Sequence, residues 1–192
     1  RRACSPREVS FILLELGGAF TAAIAVEQGR IVDGVGGSSG PMGAMASGAL
    51  AVAGTPDARA ETVADVTTPA RQKALEAYLE SIVKAVATLT ISVPSARSVV
   101  LSGRLARVAT IRGGLTSRLQ RLLPGGTVET LTGIATIAKH AAQGAAILAD
   151  GLAGGSAAEL VQTLGIREAT GTVLDHLYVI TPEAARQRLG IE

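Results

Sequence analysis

The sequence is short of several residue types, and each shortage narrows the possibilities. Aromatic residues make up 2% of the 192 residues, and Trp is absent. Hydrophobic residues still make up 47% of the chain, so the core must be built from Ala, Val, Leu and Ile. The single cysteine, Cys4, excludes an internal disulfide, which fits a reducing compartment.

An excess of one charge and a long hydrophobic run are also missing. The formal net charge is +2, too small to favour nucleic acid or an anionic membrane as a partner. No uncharged apolar run reaches the roughly 18 residues that a membrane-spanning helix needs, and no signal peptide is visible. We therefore expect a soluble, cytoplasmic protein with neither partner.

An initiator Met is lacking as well. The chain begins at Arg1 and enters an apolar run at Phe11. Its length suits a single domain over residues 1–192, large enough to bury a substantial core. We expect this domain to be the C-terminal lobe of a longer protein whose N-terminal lobe is missing from the chain.

The stretch from Ser10 to Gly40 has the clearest pattern of strands and turns in the sequence. Its pattern predicts strands over Phe11–Leu16, Ala19–Val26 and Arg30–Asp33, with a turn at Gly17-Gly18. Two adjacent glycines remove both side chains at the bend, so backbone N–H groups can approach a ligand and form an anion-binding concavity. A simple hairpin turn is the alternative. Glu15 and Thr21 flank the concavity, which would suit a metal-bound phosphate. A core hydroxyl is the alternative for Thr21, and a strand-end carboxylate with a structural role is the alternative for Glu15.

A glycine-rich segment follows the third strand. Gly34, Gly36 and Gly37 fit neither the Walker A spacing nor G-x-G-x-x-G. A connector and a substrate-lining loop both remain open for this segment. Met42–Ala53 is a candidate small-residue helix, and Gly54–Thr67 reads as a polar surface excursion.

The rest of the chain alternates helices and strands. Thr68-Pro69 predicts a helix start, followed by an apolar stripe at helical spacing. Ser98–Leu101 and Thr127–Leu131 are predicted strands on either side of a helical region, Arg104–Leu123, interrupted at Gly113-Gly114. The five arginines of that region are read as a solvated face.

Four further helices are predicted: Ile134–Leu152, Ala157–Leu164, Arg167–His176 and Thr181–Leu189. The first has a face of alanines around Gly144, which predicts close packing on a sheet. His140, Asp175 and His176 are interpreted as structural. The element order predicts an α/β fold: a mixed five-stranded sheet, β-β-β-α-β-α-β-α, flanked by helices and ending in a helical tail.

That order, with a Gly-Gly turn between the first two strands, resembles one half of the actin-like ATPase superfamily, with its ribonuclease H-like lobes. Residues 14–21 (LELGGAFT) look like its second phosphate motif, and residues 99–104 (VVLSGR) look like its adenosine motif. The segments ELGGAFTAAIAV, GRIVDGVGG and GTVLDH together resemble a mostly archaeal family known as predicted butyrate kinases.

The resemblance implies ATP and Mg²⁺ as cofactors and a small-molecule kinase acting on a carboxylate or hydroxyl acceptor. It implies phosphate contacts from Gly17, Gly18, Ala19, Phe20 and Thr21 and a water-mediated Mg²⁺ contact from Glu15. It also implies adenosine contacts from Ser102, Gly103 and Arg104. For Gly34, Gly36 and Gly37 a substrate loop remains one of the two alternatives.

Two residues depart from the superfamily pattern: Glu15 stands where Asp is usual, and Ser102 replaces the first glycine of a common Gly-Gly. The catalytic residue is unknown and is expected in the missing lobe, so this chain alone is expected to be inactive. The alternative is a non-catalytic nucleotide-binding or assembly module. The sheet edge exposed without the other lobe could also pair two copies into a homodimer.

Overall fold

A computed structural model describes residues 5–37, 40–44, 69–171, 175 and 179–190. Three predicted features lie outside the described residues: the helix Met42–Ala53 from residue 45 onwards, the excursion Gly54–Thr67 and the cap Thr68. So does most of the GTVLDH segment.

Five strands form one mixed sheet. They are β1 (Phe11–Leu16), β2 (Thr21–Glu27), β3 (Arg30–Val35), β4 (Ser98–Ser102) and β5 (Thr127–Thr130). Their order across the sheet is β3-β2-β1-β4-β5. The first three strands run antiparallel as a meander, and β1, β4 and β5 run parallel. The predicted mixed sheet is thus confirmed, with β1 at its centre.

The predicted apolar stripe builds the helix that covers one face of this sheet. Helix α1 (Pro69–Ser92) starts at a proline, whose missing N–H costs nothing at the first helical position. All six stripe residues are at most 5% exposed: Leu75, Tyr78, Leu79, Ile82, Val86 and Leu89. They pack against alternate strand residues such as Ile12, Leu14 and Leu101 in one continuous core.

Helix α2 (Ala109–Leu122) joins α1 on that face, after a short 3-10 helix at Leu105–Arg107. The predicted interruption at Gly113-Gly114 is wrong, because the helix runs through both glycines. A Cβ at Gly114 would lie 2.7 Å from Leu79 Cδ1, so this glycine lets α2 approach α1 closely. Four of the region's arginines are exposed, and Arg118 pairs with Glu76.

Among the described residues, three helices follow β5 in the chain. They are α3 (His140–Leu152), α4 (Ala158–Leu164) and α5 (Pro182–Leu189). Helices α3 and α4 pack against each other, and α4 reaches β3 and the N-terminal 3-10 helix Pro6–Glu8. Thr181 caps α5 as predicted, since its hydroxyl accepts a hydrogen bond from the Ala184 N–H.

Three predictions about these helices are wrong. Helix α3 begins at His140 instead of Ile134, and residues 165–171 form turns and loop, so no helix starts at Arg167. The alanine face of α3 does not sit on the sheet. Ala142 is exposed, and no atom lies within 4 Å of a Cβ built on Gly144. Close packing occurs instead at Gly151, where a Cβ would lie 2.5 Å from the Ala157 carbonyl oxygen.

Within the part of the chain that the structure describes, no helix has both the length and the hydropathy required to cross a membrane.

Candidate functional site

The parallel pairing of β1 and β4 brings two predicted motifs to one edge of the sheet. Glu15, the last acid of β1, lies directly opposite Ser102, the last residue of β4. The Gly17-Gly18 turn follows β1, and Gly103 follows β4. The carboxyl ends of parallel strands are where open α/β sheets bind their ligands. We call this region the carboxyl edge.

Close backbone packing shapes the glycine turn after β1. A Cβ at Gly17 would lie 2.6 Å from the Phe20 carbonyl oxygen, so a side chain there would clash with the turn itself. Ala19 and Phe20 are exposed, with Phe20 exposed at 57%. The turn therefore presents backbone and a solvent-facing aromatic ring rather than a wall of side chains. This arrangement suits an anion that is held by N–H groups.

Gly103 ties the two strand ends together. Its φ is +88°, a conformation that only glycine adopts without strain. A Cβ there would lie 2.5 Å from the Leu16 carbonyl oxygen and 2.7 Å from Glu15 Oε1. The backbone after β4 therefore passes directly beside the Glu15 carboxylate, which is exposed.

The side chain of Thr21 faces the core. It is fully buried, and its hydroxyl has no hydrogen-bond partner among the described residues. The buried hydroxyl of Tyr78 comes near it without forming a hydrogen bond of good geometry. Burial raises the pKa of Tyr78, and the nearby Thr21 hydroxyl opposes that rise. The hydroxyl of Thr21 thus does not reach the solvent side of the turn, and its phosphate role stays a prediction.

The structure adds His140 to this region, which sequence reasoning had set aside as structural. His140 begins α3, and its Nδ1 lies 3.2 Å from Ser102 Oγ. Ser102 is 3% exposed and His140 is half-buried, so this hydrogen bond is partly shielded from solvent. No sequence signal marked this contact, because the predicted helix began at Ile134 and placed His140 in its interior.

A clasp by Gln143 holds the loop between β5 and α3. Its amide oxygen accepts hydrogen bonds from the N–H groups of Ile134 and Ala135, at 2.7 and 3.0 Å. Its amide nitrogen donates to the carbonyls of Ala135 and Ala138, at 3.1 and 2.6 Å. The Gln143 side chain replaces the helical bonds that the loop backbone would otherwise make. This explains why α3 starts at His140.

The glycine-rich segment after β3 folds back onto the glycine turn. A Cβ at Gly36 would lie 2.9 Å from the Cβ of Ala22, and one at Gly43 would clash with the Ala19 carbonyl oxygen. Gly34 belongs to β3 instead of a loop, while Gly37 lies in open space with a φ of +63°. The backbone of this segment therefore lies beside the predicted phosphate turn, but its role as a substrate loop stays a prediction.

Arg104 is exposed after Gly103, and Glu15 is the exposed carboxylate at the carboxyl edge. Among the described residues, no three His, Cys, Asp or Glu side chains form a cluster that could hold a metal by themselves. A divalent cation here would thus need ligands from its own bound partner, as Mg²⁺ does when it binds with nucleotide phosphates.

Three solved structures show partial similarity to the chain. Acetate kinase from Entamoeba histolytica aligns at 11% identity and a TM-score of 0.49, over 62% of this chain and 40% of that protein. The ethanolamine utilization protein EutJ from Carboxydothermus hydrogenoformans aligns at 16% identity and a TM-score of 0.41, over 64% and 44%. The activator of 2-hydroxyisocaproyl-CoA dehydratase from Clostridium difficile, with bound ADPNP, aligns at 11% and 0.37, over 88% and 69%.

The chain thus spans less than half the length of the first two proteins. With these TM-scores below 0.5, the fold assignment rests on the observed strand order and directions. No curated protein matches the chain. A family model does match it over residues 1–179, nearly its whole length, and the chain therefore belongs to DUF1464, the family described as a protein of unknown function.

Proposed function

We propose that this chain is the nucleotide-binding lobe of an ATP-dependent phosphotransferase. One observation carries the proposal: the predicted phosphate turn and the predicted adenosine turn, far apart in sequence, meet at the carboxyl edge through the pairing of Glu15 with Ser102. A nucleotide spanning both turns would have its phosphates at Gly17–Phe20 and its base beyond Gly103.

The residues at the carboxyl edge fit a magnesium nucleotide. The exposed Glu15 carboxylate would meet the metal through a bound water, and the turn backbone would bind phosphate oxygens. Bound Mg²⁺ would neutralise phosphate charge during transfer. His140, fixed by Ser102, would border the same space.

Phosphoryl transfer needs more than nucleotide binding, since the acceptor must be aligned with the γ-phosphate. We propose that a second lobe and a small acid or hydroxyl acceptor complete the site, with butyrate-like acids as the first acceptors to test. Among the described residues no cluster of His, Cys, Asp or Glu could hold a metal, which favours a second candidate function, a non-catalytic nucleotide-binding module.

The proposal is tested by calorimetric titration of the chain with ATP·Mg²⁺. We expect a dissociation constant of about 0.1 mM or weaker, because one lobe supplies only part of the contacts. Ala19→Asp places a carboxylate on the exposed turn and should weaken binding at least about tenfold through repulsion of the phosphates. Ala169→Asp, at an exposed site remote from the turn, is the matched control.

Equal affinity for ATP in Ala19→Asp and in the parent would show that the phosphates do not bind at this turn. A coupled assay of ADP release, with short-chain acids and sugars as acceptors, separates the two candidate functions. We expect no turnover by these 192 residues and turnover when a second lobe is supplied by a longer natural chain. Tight binding without turnover in that longer chain would favour the non-catalytic module.

A further inference from the structure

A cleft lies at the opposite end of the sheet from the carboxyl edge. It has a volume of about 520 Å³ and is bounded by three elements. The 3-10 helix Pro6–Glu8 contributes Arg7, the turn between β2 and β3 contributes Gln28 and Arg30, and α4 contributes Gln162 and Thr163. We propose that this cleft is an anion-binding site for a small molecule that carries a phosphate or carboxylate group.

The first argument is charge. Arg7 and Arg30 both line the cleft, and within the described part of the chain neither guanidinium has an ion pair or a hydrogen-bond partner. Two unpaired guanidinium groups at one cleft suit a phosphate or carboxylate, whose oxygens match the planar fork of arginine donors. The amides of Gln28 and Gln162 add neutral donors at the same cleft.

The nearby acids reduce this positive charge but do not pair with either arginine. Glu27 lines the cleft and keeps its negative charge, and its Oε1 accepts a hydrogen bond from Ser95 Oγ at 2.9 Å. Glu168 lies close to Arg30, since a Cβ at Gly165 would be 3.8 Å from Glu168 Oε2 and 3.5 Å from an Arg30 guanidinium nitrogen. They form no ion pair, so an anion would not have to displace an established bridge.

The second argument is an unsatisfied hydroxyl. Thr163 lines the cleft and is 4% exposed, yet its Oγ1 has no hydrogen-bond partner among the described residues. Its methyl group packs on the turn, because a Cβ at Gly29 would lie 2.8 Å from Thr163 Cγ2. A buried hydroxyl without a partner is unfavourable. Solvent does not reach Thr163 Oγ1 in this structure, so an oxygen of a bound anion would supply that partner only after the Thr163 side chain turns toward the cleft.

The third argument is that the walls are already held in place. The Gly29 N–H donates to the Val9 carbonyl at 2.9 Å, and the Gln28 N–H donates to Ser10 Oγ at 3.0 Å. On the other side, Ser5 Oγ donates to Glu159 Oε1 of α4 at 2.9 Å. Gly29 has a φ of +76° and approaches the Pro6 carbonyl so closely that no side chain would fit. A site built this way loses little conformational freedom when it binds.

The test is a ¹H–¹⁵N NMR titration of the chain with sodium phosphate, and separately with sodium acetate, at constant ionic strength. The amides of Gly29 and Gly165, beside Thr163 and Arg30, should shift and saturate. The ion that shifts them at lower concentration identifies the head group as phosphate or carboxylate. Signals from Gly17 and Gly18 report independently on the carboxyl edge, so failure at one place does not imply failure at the other.

The double variant Arg7→Gln/Arg30→Gln should weaken binding at the cleft at least about tenfold. Its matched control is Arg112→Gln/Arg121→Gln, which removes two exposed charges from α2 and should leave the titration unchanged. Absence of saturable shifts with both ions, or the same affinity in the two double variants, would overturn the proposal.

Thr163→Val keeps the shape of the side chain and removes the hydroxyl. We expect an unchanged or higher melting temperature together with affinity reduced about three- to tenfold. A higher melting temperature with unchanged affinity would show that the hydroxyl is only a packing defect and would contradict the site as described.

Discussion

The two faces of the sheet differ sharply in how well they are covered. On the first face, Ile12, Leu14, Leu16 and Leu101 are at most 1% exposed beneath α1 and α2. On the second face, their sequence neighbours Phe11, Leu13 and Val100 remain partly exposed. Stability is therefore concentrated on one side. The second face carries the polar candidate-site residues. Glu15 and Ser102 lie on the same face as Leu13 and Val100, because side chains two residues apart in a strand point to the same side.

The largest effect expected from this difference is on stability. Leu14→Ala should lower the free energy of unfolding by about 2–5 kcal/mol, because it opens a cavity under α1. Leu13→Ala, one residue away on the other face, should cost less than half as much. Chemical denaturation of both variants measures the two values. Equal losses would show that the second face is as well packed as the first.

A smaller contrast exists within α3. Gly151→Ala should destabilise the protein by about 1–3 kcal/mol, because its Cβ would meet the Ala157 carbonyl oxygen at 2.5 Å. Gly144→Ala should instead stabilise it by up to about 1 kcal/mol, since the site is open and alanine favours the helix. Thermal melts compare the two. Destabilisation by Gly144→Ala would instead indicate that the small-residue face of α3 packs closely against the sheet.

The smallest effect concerns the edge of the first face, where β3 is tied to the end of α1. Asp33 Oδ2 accepts a hydrogen bond from Ser92 Oγ at 2.5 Å, and Oδ1 accepts one from the Gly34 N–H. Both bonds lower the pKa of Asp33 below its usual 3.8, and the bond from Ser92 has the larger effect. The resulting stability is present above pH 3.8 and is lost as the pH falls through the lower folded-state pKa.

Melting temperatures of the parent and Asp33→Asn, measured from pH 7 to pH 2, test this linkage. The difference should be small at pH 7, because the carboxylate is exposed, and should vanish at the acid end. Ser92→Ala is the matched control, since it removes the main bond and keeps the carboxylate. A difference that grows as the pH falls would reverse the assigned sign.

The first face could be predicted from the sequence because its pattern is local. The stripe of α1 and the alternation of β1 repeat at the periods of a helix and a strand. The start of α3 could not be predicted, because residues 134–138 contain neither glycine nor proline and are compatible with a helix. Only the tertiary clasp by Gln143, which takes up their backbone groups, selects a loop.

The candidate site also has one part that the sequence predicts and one part that it does not. The turns at Gly17-Gly18 and Ser102-Gly103 were visible as glycine signals after predicted strands. Their meeting depends on the parallel register of β1 and β4, which the sequence does not specify. His140 lies 38 residues from Ser102, so its place beside that serine follows from topology alone. The resemblance to predicted butyrate kinases stays a prediction.

The Gln143 clasp has a mechanical consequence. All four of its hydrogen bonds join the loop to a side chain in the first turn of α3. The loop is therefore joined to the first turn of that helix, and the His140–Ser102 bond links this unit to β4. Ile134 and Ile137, exposed at 78% and 97%, lie on the same loop. A displacement of α3 would therefore also displace both isoleucines.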